Sequence, residues 1–169
     1  MDSYLQRALD LIEAETRGLS GEQLDQRRDG KWSIAEILEH LALAYRSTIR
    51  LLDPSLTGAN ASVPAPTRSQ RVITFVVTGL GYLPRGRQAP EWTRPRGMPP
   101  EQSRQAIREA LVEMDEKIRE CETRFGRARI ALHPVIGPLT AQQWRKFHWV
   151  HTRHHWRQVR ALKGLFAAR

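Results

Sequence analysis

From residue 140 onward the chain carries one apolar stripe at helical spacing, formed by Trp144, Phe147, His151, His155, Val159, Leu162 and Phe166, and two of its members are histidines. A stripe of that width belongs to a helix whose inner face is covered by other helices. At about 100° per residue, His151 and His155 lie about 40° apart and one turn apart in height, so both imidazoles can reach a single ion. Leaving a buried imidazole unpaired costs roughly 1–3 kcal/mol, so the pair needs a shared metal or separate hydrogen-bond partners. Periodicity alone leaves both open.

The rest of the chain supplies the covering helices. Ser3 with Gln6 reads as a capping box ahead of Leu5, Ala8, Leu9 and Ile12, and Gly18 stops that run. Ser33 with Glu36 repeats the signal ahead of Ile34, Ile37, Leu38, Leu41, Tyr45, Leu51 and Leu52, predicting a second helix of about five turns that ends near Asp53 and Pro54. Residues 53–67, with Pro54, Gly58, Pro64 and Pro66, read as a crossover loop. Val72 to Leu80 form a short apolar segment, assigned as a helix because no partner strand is evident. Five of the ten prolines fall in residues 84–100, which must be an irregular excursion able to rim a site. Pro100 opens a third long helix along Ile107, Leu111, Met114, Ile118, Cys121 and Phe125, closed by Gly126. After a loop from His133 to Pro138, Thr140 is placed to cap the last helix. The expectation is one domain over residues 1–169, all-α: a four-helix bundle with long crossover loops and a short extra helix.

A third histidine joins the pair. His40 lies at the edge of the second helix's apolar stripe, among Ile37, Ala44, Thr48 and Leu51. With His151 and His155 it makes a three-imidazole set that leaves a position open on a zinc-like ion, the arrangement of a catalytic rather than a closed structural site. His148 and His154 lie about 60° to either side of His151, and either can replace a named ligand. The spacing-four pair keeps both rings nearer the centre of the stripe. His133, in a loop, reads as an exposed or turn-capping residue. Gln158, one turn beyond His155, is placed to orient a ligand or to pack as a polar group, and Glu36 is explained by its capping box. Trp149 and Trp156 point away from the stripe, beside Arg153 and Arg160, and suit an interface or a surface under the 53–100 excursion.

Composition excludes several classes. Cys121 is the only cysteine, so there is no intrachain disulfide and no cysteine-rich zinc site; it follows the third stripe as a core residue. No apolar run approaches the ~18–20 residues of a membrane span, and no export signal opens the chain, so a cytoplasmic protein without a membrane partner is expected. The net charge of +9 comes from 23 arginines and 4 lysines scattered without a nucleic-acid reader motif. A nucleic-acid partner is therefore not expected.

Three segments carry a resemblance. They are Gly30-Lys31-Trp32-Ser33-Ile34-Ala35-Glu36-Ile37-Leu38-Glu39-His40-Leu41, then His133-Pro134-Val135-Ile136-Gly137-Pro138-Leu139, then His151-Thr152-Arg153-His154-His155-Trp156-Arg157-Gln158. In this order they make the chain similar to the DinB-like superfamily of bacterial four-helix-bundle proteins, regarded as metal-dependent enzymes. The resemblance implies His40, His151 and His155 as ligands of one divalent ion, zinc or nickel, and often a homodimer. It further implies a small-molecule substrate, with thiol S-transfer using a low-molecular-weight thiol, or hydrolysis, as the reaction; no catalytic side chain beyond the ligands is implied. The alternative is a non-catalytic bundle that keeps the site for structure or for a small anion. Residues 53–100 contribute nothing to the resemblance, and the adjacent His154 and His155 and the proline-rich excursion depart from its plainer members.

Overall fold

The computed structural model describes residues 1–28, 30–58, 63–84, 86 and 88–166, with the side chains of 57, 165 and 166 left aside. Arg85 and Arg87 of the proline-rich excursion, and the side chain of Phe166, therefore lie outside the described residues. The chain is mostly helical: α1 (Ser3–Thr16), α2 (Gly21–Asp25), α3 (Ile34–Thr57), α4 (Arg68–Thr74), α5 (Pro100–Phe125) and α6 (Ala141–Phe166). A π-helical turn, Phe75–Gly79, continues α4, and Glu91–Thr93 forms a 3-10 turn within the excursion.

Local chemistry explains most boundaries. Asp2, rather than Ser3, caps α1, its carboxylate accepting from the Tyr4 N–H at 2.8 Å. Ser20 and Gln23 form a capping box on the short α2, and Ser33 and Glu36 form one on α3. Thr140 and Gln143 exchange the same pair of bonds at the start of α6, at 3.0 and 3.3 Å. Pro100 opens α5 and Gly126 closes it with a positive φ of 59°.

α3 runs past the expected stop at Pro54 to Thr57, and Gly58 ends it in the left-handed region at φ 79°. Proline removes one helix hydrogen bond. That loss is offset by contacts only the fold supplies: Ser55 Oγ donates to the Ile130 carbonyl, Lys117 bonds Asp53 at 2.5 Å, and Arg124 reaches the Leu56 carbonyl at 2.5 Å.

The expected loop around His133 is instead a hairpin. β1 (Arg129–His133) and β2 (Gly137–Thr140) pair antiparallel, with Ala131 opposite Leu139 and His133 opposite Gly137. Pro134 and Pro138 suggested loop, but Ile130, Ala131, Ile136 and Leu139 are all buried, and burying them holds the two short strands against the helices. The segment after the crossover is helical as expected.

α3 and α5 pack along each other, and α1 lies against α6 and α5. One hydrophobic core draws on all of these elements, from Leu5 to Leu162. Trp156, expected either at an interface or under the 53–100 excursion, is 2% exposed. The reason is that α6 is covered on a second side by α1, pinned through Glu15 to Lys163 at 3.0 Å and Arg160 at 3.5 Å. Trp149 is partly buried, with the Arg153 guanidinium 6.0 Å from its ring centroid.

The end of the excursion is fastened to α3. The buried Glu39 carboxylate accepts backbone N–H groups from Arg96, Gly97 and Met98 at 2.8, 2.9 and 2.9 Å. Glu39→Ala would strand three donors and is expected to cost about 2–4 kcal/mol. Glu36→Ala, which loses only a cap, should cost about 1 kcal/mol. Urea unfolding of the two variants checks the contrast.

Candidate metal centre

His40 projects from the second turn of α3, and His151 and His155 from successive turns of α6. The fold brings the three together. The Nε2 of His151 lies 3.3 Å from that of His40 and 3.1 Å from that of His155, and the three ligand atoms lie within 4.8 Å of one another. His40 and His155 are 4% and 7% exposed. Trp32, the residue before the α3 cap, packs its ring 4.9 Å from His40 and 6.3 Å from His155, and Phe147 stacks on His151 at 5.6 Å.

The far sides of two rings are tied down. His40 Nδ1 lies 2.8 Å from the Thr93 carbonyl oxygen, and His155 Nδ1 lies 3.0 Å from Gln158 Oε1. A carbonyl oxygen only accepts, so each Nδ1 carries the proton and each Nε2 presents its lone pair to the centre. His151 Nδ1 is buried without a partner. If His151 protonates Nε2, it can donate to only one of the two facing lone pairs. If it protonates Nδ1, three lone pairs converge with nothing between them.

A cation held by the three nitrogens would resolve this frustration. Bonds of about 2.0–2.1 Å in tetrahedral directions put ligand nitrogens about 3.3–3.4 Å apart, close to the 3.3 and 3.1 Å that separate His151 from His40 and His155. Burial pushes all three histidines below the ordinary imidazole pKa near 6.5, His155 to about 3, and the neighbouring rings push His151 and His155 the same way. Neutral imidazole is the form a metal binds.

The alternative histidines have other work. His148 is buried one turn before His151 and donates through Nε2 to Thr48 Oγ1 at 3.0 Å, the Thr48 hydroxyl itself donating to the Ala44 carbonyl. Beside it Tyr45 donates to Thr152 Oγ1 at 2.6 Å, whose own hydroxyl donates to the His148 carbonyl. His154 is half-buried and is not among the three converging histidines. His133 caps its turn as expected, its Nδ1 accepting from the N–H groups of Val135 and Ile136 at 3.1 and 3.2 Å. Glu36 serves its capping box and an ion pair with Arg27 at 2.6 Å. Cys121 is fully buried, and burial raises its thiol pKa to about 11, so it is no nucleophile.

Two participants were not foreseen. A backbone acceptor such as the Thr93 carbonyl has no sequence signature. Glu39 had one: an acid beside His40 on a helix that is otherwise buried there, which requires hydrogen-bond donors from elsewhere.

Burial lowers the His148 pKa to about 3. As pH falls below 6.5 the unfolded chain takes up a proton that the folded chain refuses, so stability is lost down to about pH 3. Between pH 7 and pH 5 this group should cost about 2 kcal/mol. His148→Gln, which keeps a donor for Thr48, should remove that part of the decline in urea unfolding at the two pH values.

No curated protein and no solved structure matches the chain. A family model described as protein of unknown function (DUF1569) matches residues 5–161.

Proposed function

The chain belongs to the DUF1569 family, whose description states no activity, and from its site we propose that this member is a metal-dependent enzyme using a three-histidine centre. One observation carries the reading: the imidazole nitrogens of His40, His151 and His155 converge, two of them with their lone pairs directed inward by hydrogen bonds on the opposite side of the ring. All-nitrogen donors suit zinc or nickel. Kinship with the DinB-like superfamily is part of the proposal. It is supported by Trp32 and Ser33 at the start of α3, by the three histidines, and by four long helices, α1, α3, α5 and α6, that pack as a four-helix bundle would.

Such an ion, when bound, acidifies a water or thiol at the position that three ligands leave open. The chain's own residues do the rest. The Thr93 carbonyl and Gln158 hold the Nδ1 protons of His40 and His155, and Trp32 and Phe147 wall the centre with apolar surface. The reaction class proposed is S-transfer from a low-molecular-weight thiol, or hydrolysis, in a homodimer. A second reading, a non-catalytic metal-binding bundle, is favoured by the burial of His40 and His155.

Protein purified without an affinity tag should carry about one equivalent of metal by elemental analysis. His151→Ala with His155→Ala should abolish it; stoichiometric metal in that double variant overturns the proposal. Gln158→Ala should weaken metal affinity about 10- to 100-fold. Metal bound without turnover of thiol or ester substrates assigns the second reading.

A further inference from the structure

All 18 acidic residues fall within residues 1–53 and 91–122. The two remaining stretches, 54–90 and 123–169, hold 14 of the 27 lysines and arginines and not one aspartate or glutamate. The fold joins these stretches. α4 packs on β2, and the π-helical turn packs on α6. Thr74 Oγ1 donates to the Ile136 carbonyl at 2.8 Å, and Arg153 donates to the Gly81 carbonyl at 2.5 Å. Gln70 lies so close to Gly137 that a Cβ there would fall 2.8 Å from its side chain.

On α4, on its π-helical turn and the residues just after it, and on the hairpin, large apolar side chains are left uncovered: Val72 65%, Phe75 61%, Leu80 66%, Tyr82 50%, Leu132 45% and Val135 37% exposed. They are most of the exposed large hydrophobic residues among those described. Arg68 and Arg71 on α4, Arg129 on β1 and Arg127 just before it are exposed. Arg71, Phe75, Arg129 and Pro138 together line a groove between α4 and the hairpin.

Three partners fit exposed apolar groups set among cations. A second copy meeting this face through a two-fold axis would bring the same arginines together with no acid in the patch to pair them. A nucleic acid would use the arginines and leave Val72, Phe75 and Leu80 without a role. An anionic bilayer uses both, with guanidinium groups at the level of the phosphates and apolar side chains in the headgroup and acyl boundary. We propose that the face formed by α4, its π-helical turn and the β1–β2 hairpin seats the protein on an anionic lipid surface. This departs from the expectation of no membrane partner. That expectation rested on the lack of a spanning segment; no helix of the described residues is long and apolar enough to cross a membrane, but a peripheral seat needs none.

Flotation of the full chain with vesicles tests the proposal. Phosphatidylcholine vesicles with about 30 mol% phosphatidylserine should carry the protein up, and phosphatidylcholine alone should not. Phe75→Ser with Leu80→Ser should weaken binding about tenfold or more. Arg68→Gln with Arg71→Gln should weaken it about fivefold per arginine. All four side chains are exposed, so the variants should keep the wild-type melting temperature. Equal binding to neutral vesicles, or indifference to the Phe75 and Leu80 changes, overturns the proposal. So does tighter binding to duplex DNA that ignores those two changes. A dimer in light scattering that Phe75→Ser with Leu80→Ser dissolves also overturns it, and assigns the face to a second copy.

Discussion

Three imidazole nitrogens directed at one point, with a proton available for at most one of the contacts between them, make an arrangement that a protein interior does not tolerate without a reason. Two hydrogen bonds on the outer sides of the rings hold it in place, from His40 to the Thr93 carbonyl and from His155 to Gln158. Those bonds set the tautomers of His40 and His155, whose Nε2 lone pairs face the centre beside His151, a geometry that could hold a cation. Around this point α3, α6 and the 3-10 turn must keep their positions, because a displacement of even one ångström would separate the donors or leave the outer bonds unmade.

Two consecutive residues of α3 perform most of that anchoring. Glu39 takes three backbone N–H groups of the proline-rich excursion, and His40 takes the Thr93 carbonyl from the same excursion. A segment with too few donors and too many prolines to form its own structure is thus fastened by side chains of a helix that is already rigid. Further along the same helix pair, Tyr45 meets Thr152 and Thr48 meets His148. These polar contacts fix the register of α3 against α6 at the turns beyond the centre, since sliding either helix would strand buried polar groups.

Much of this was legible in the residues because helices announce themselves locally. The stripe containing His151 and His155, the capping box at Ser33, the cap at Thr140, and Pro100 and Gly126 around α5 all act within one or two turns. The hairpin of residues 129–140 was not legible, since its strands are short, carry Pro138, and are held by burying Ile130, Ile136 and Leu139 against helices distant in sequence. What covers Trp156 stayed open for a related reason: a helical wheel shows which face is apolar, whereas the number of neighbours a helix has is a property of the assembled fold.

The histidines divide the same way. Spacing alone determined that His151 and His155 can share a partner, because one turn of helix sets their separation whatever surrounds them. Tertiary structure decided that His40 stands opposite them while His148 is spent on Thr48, and that the Thr93 carbonyl, 53 residues from His40 along the chain, sets a tautomer. Such choices depend on how α3, α6 and the excursion meet in space. No local pattern encodes them, because a hydrogen bond between distant segments leaves its mark only on the folded chain.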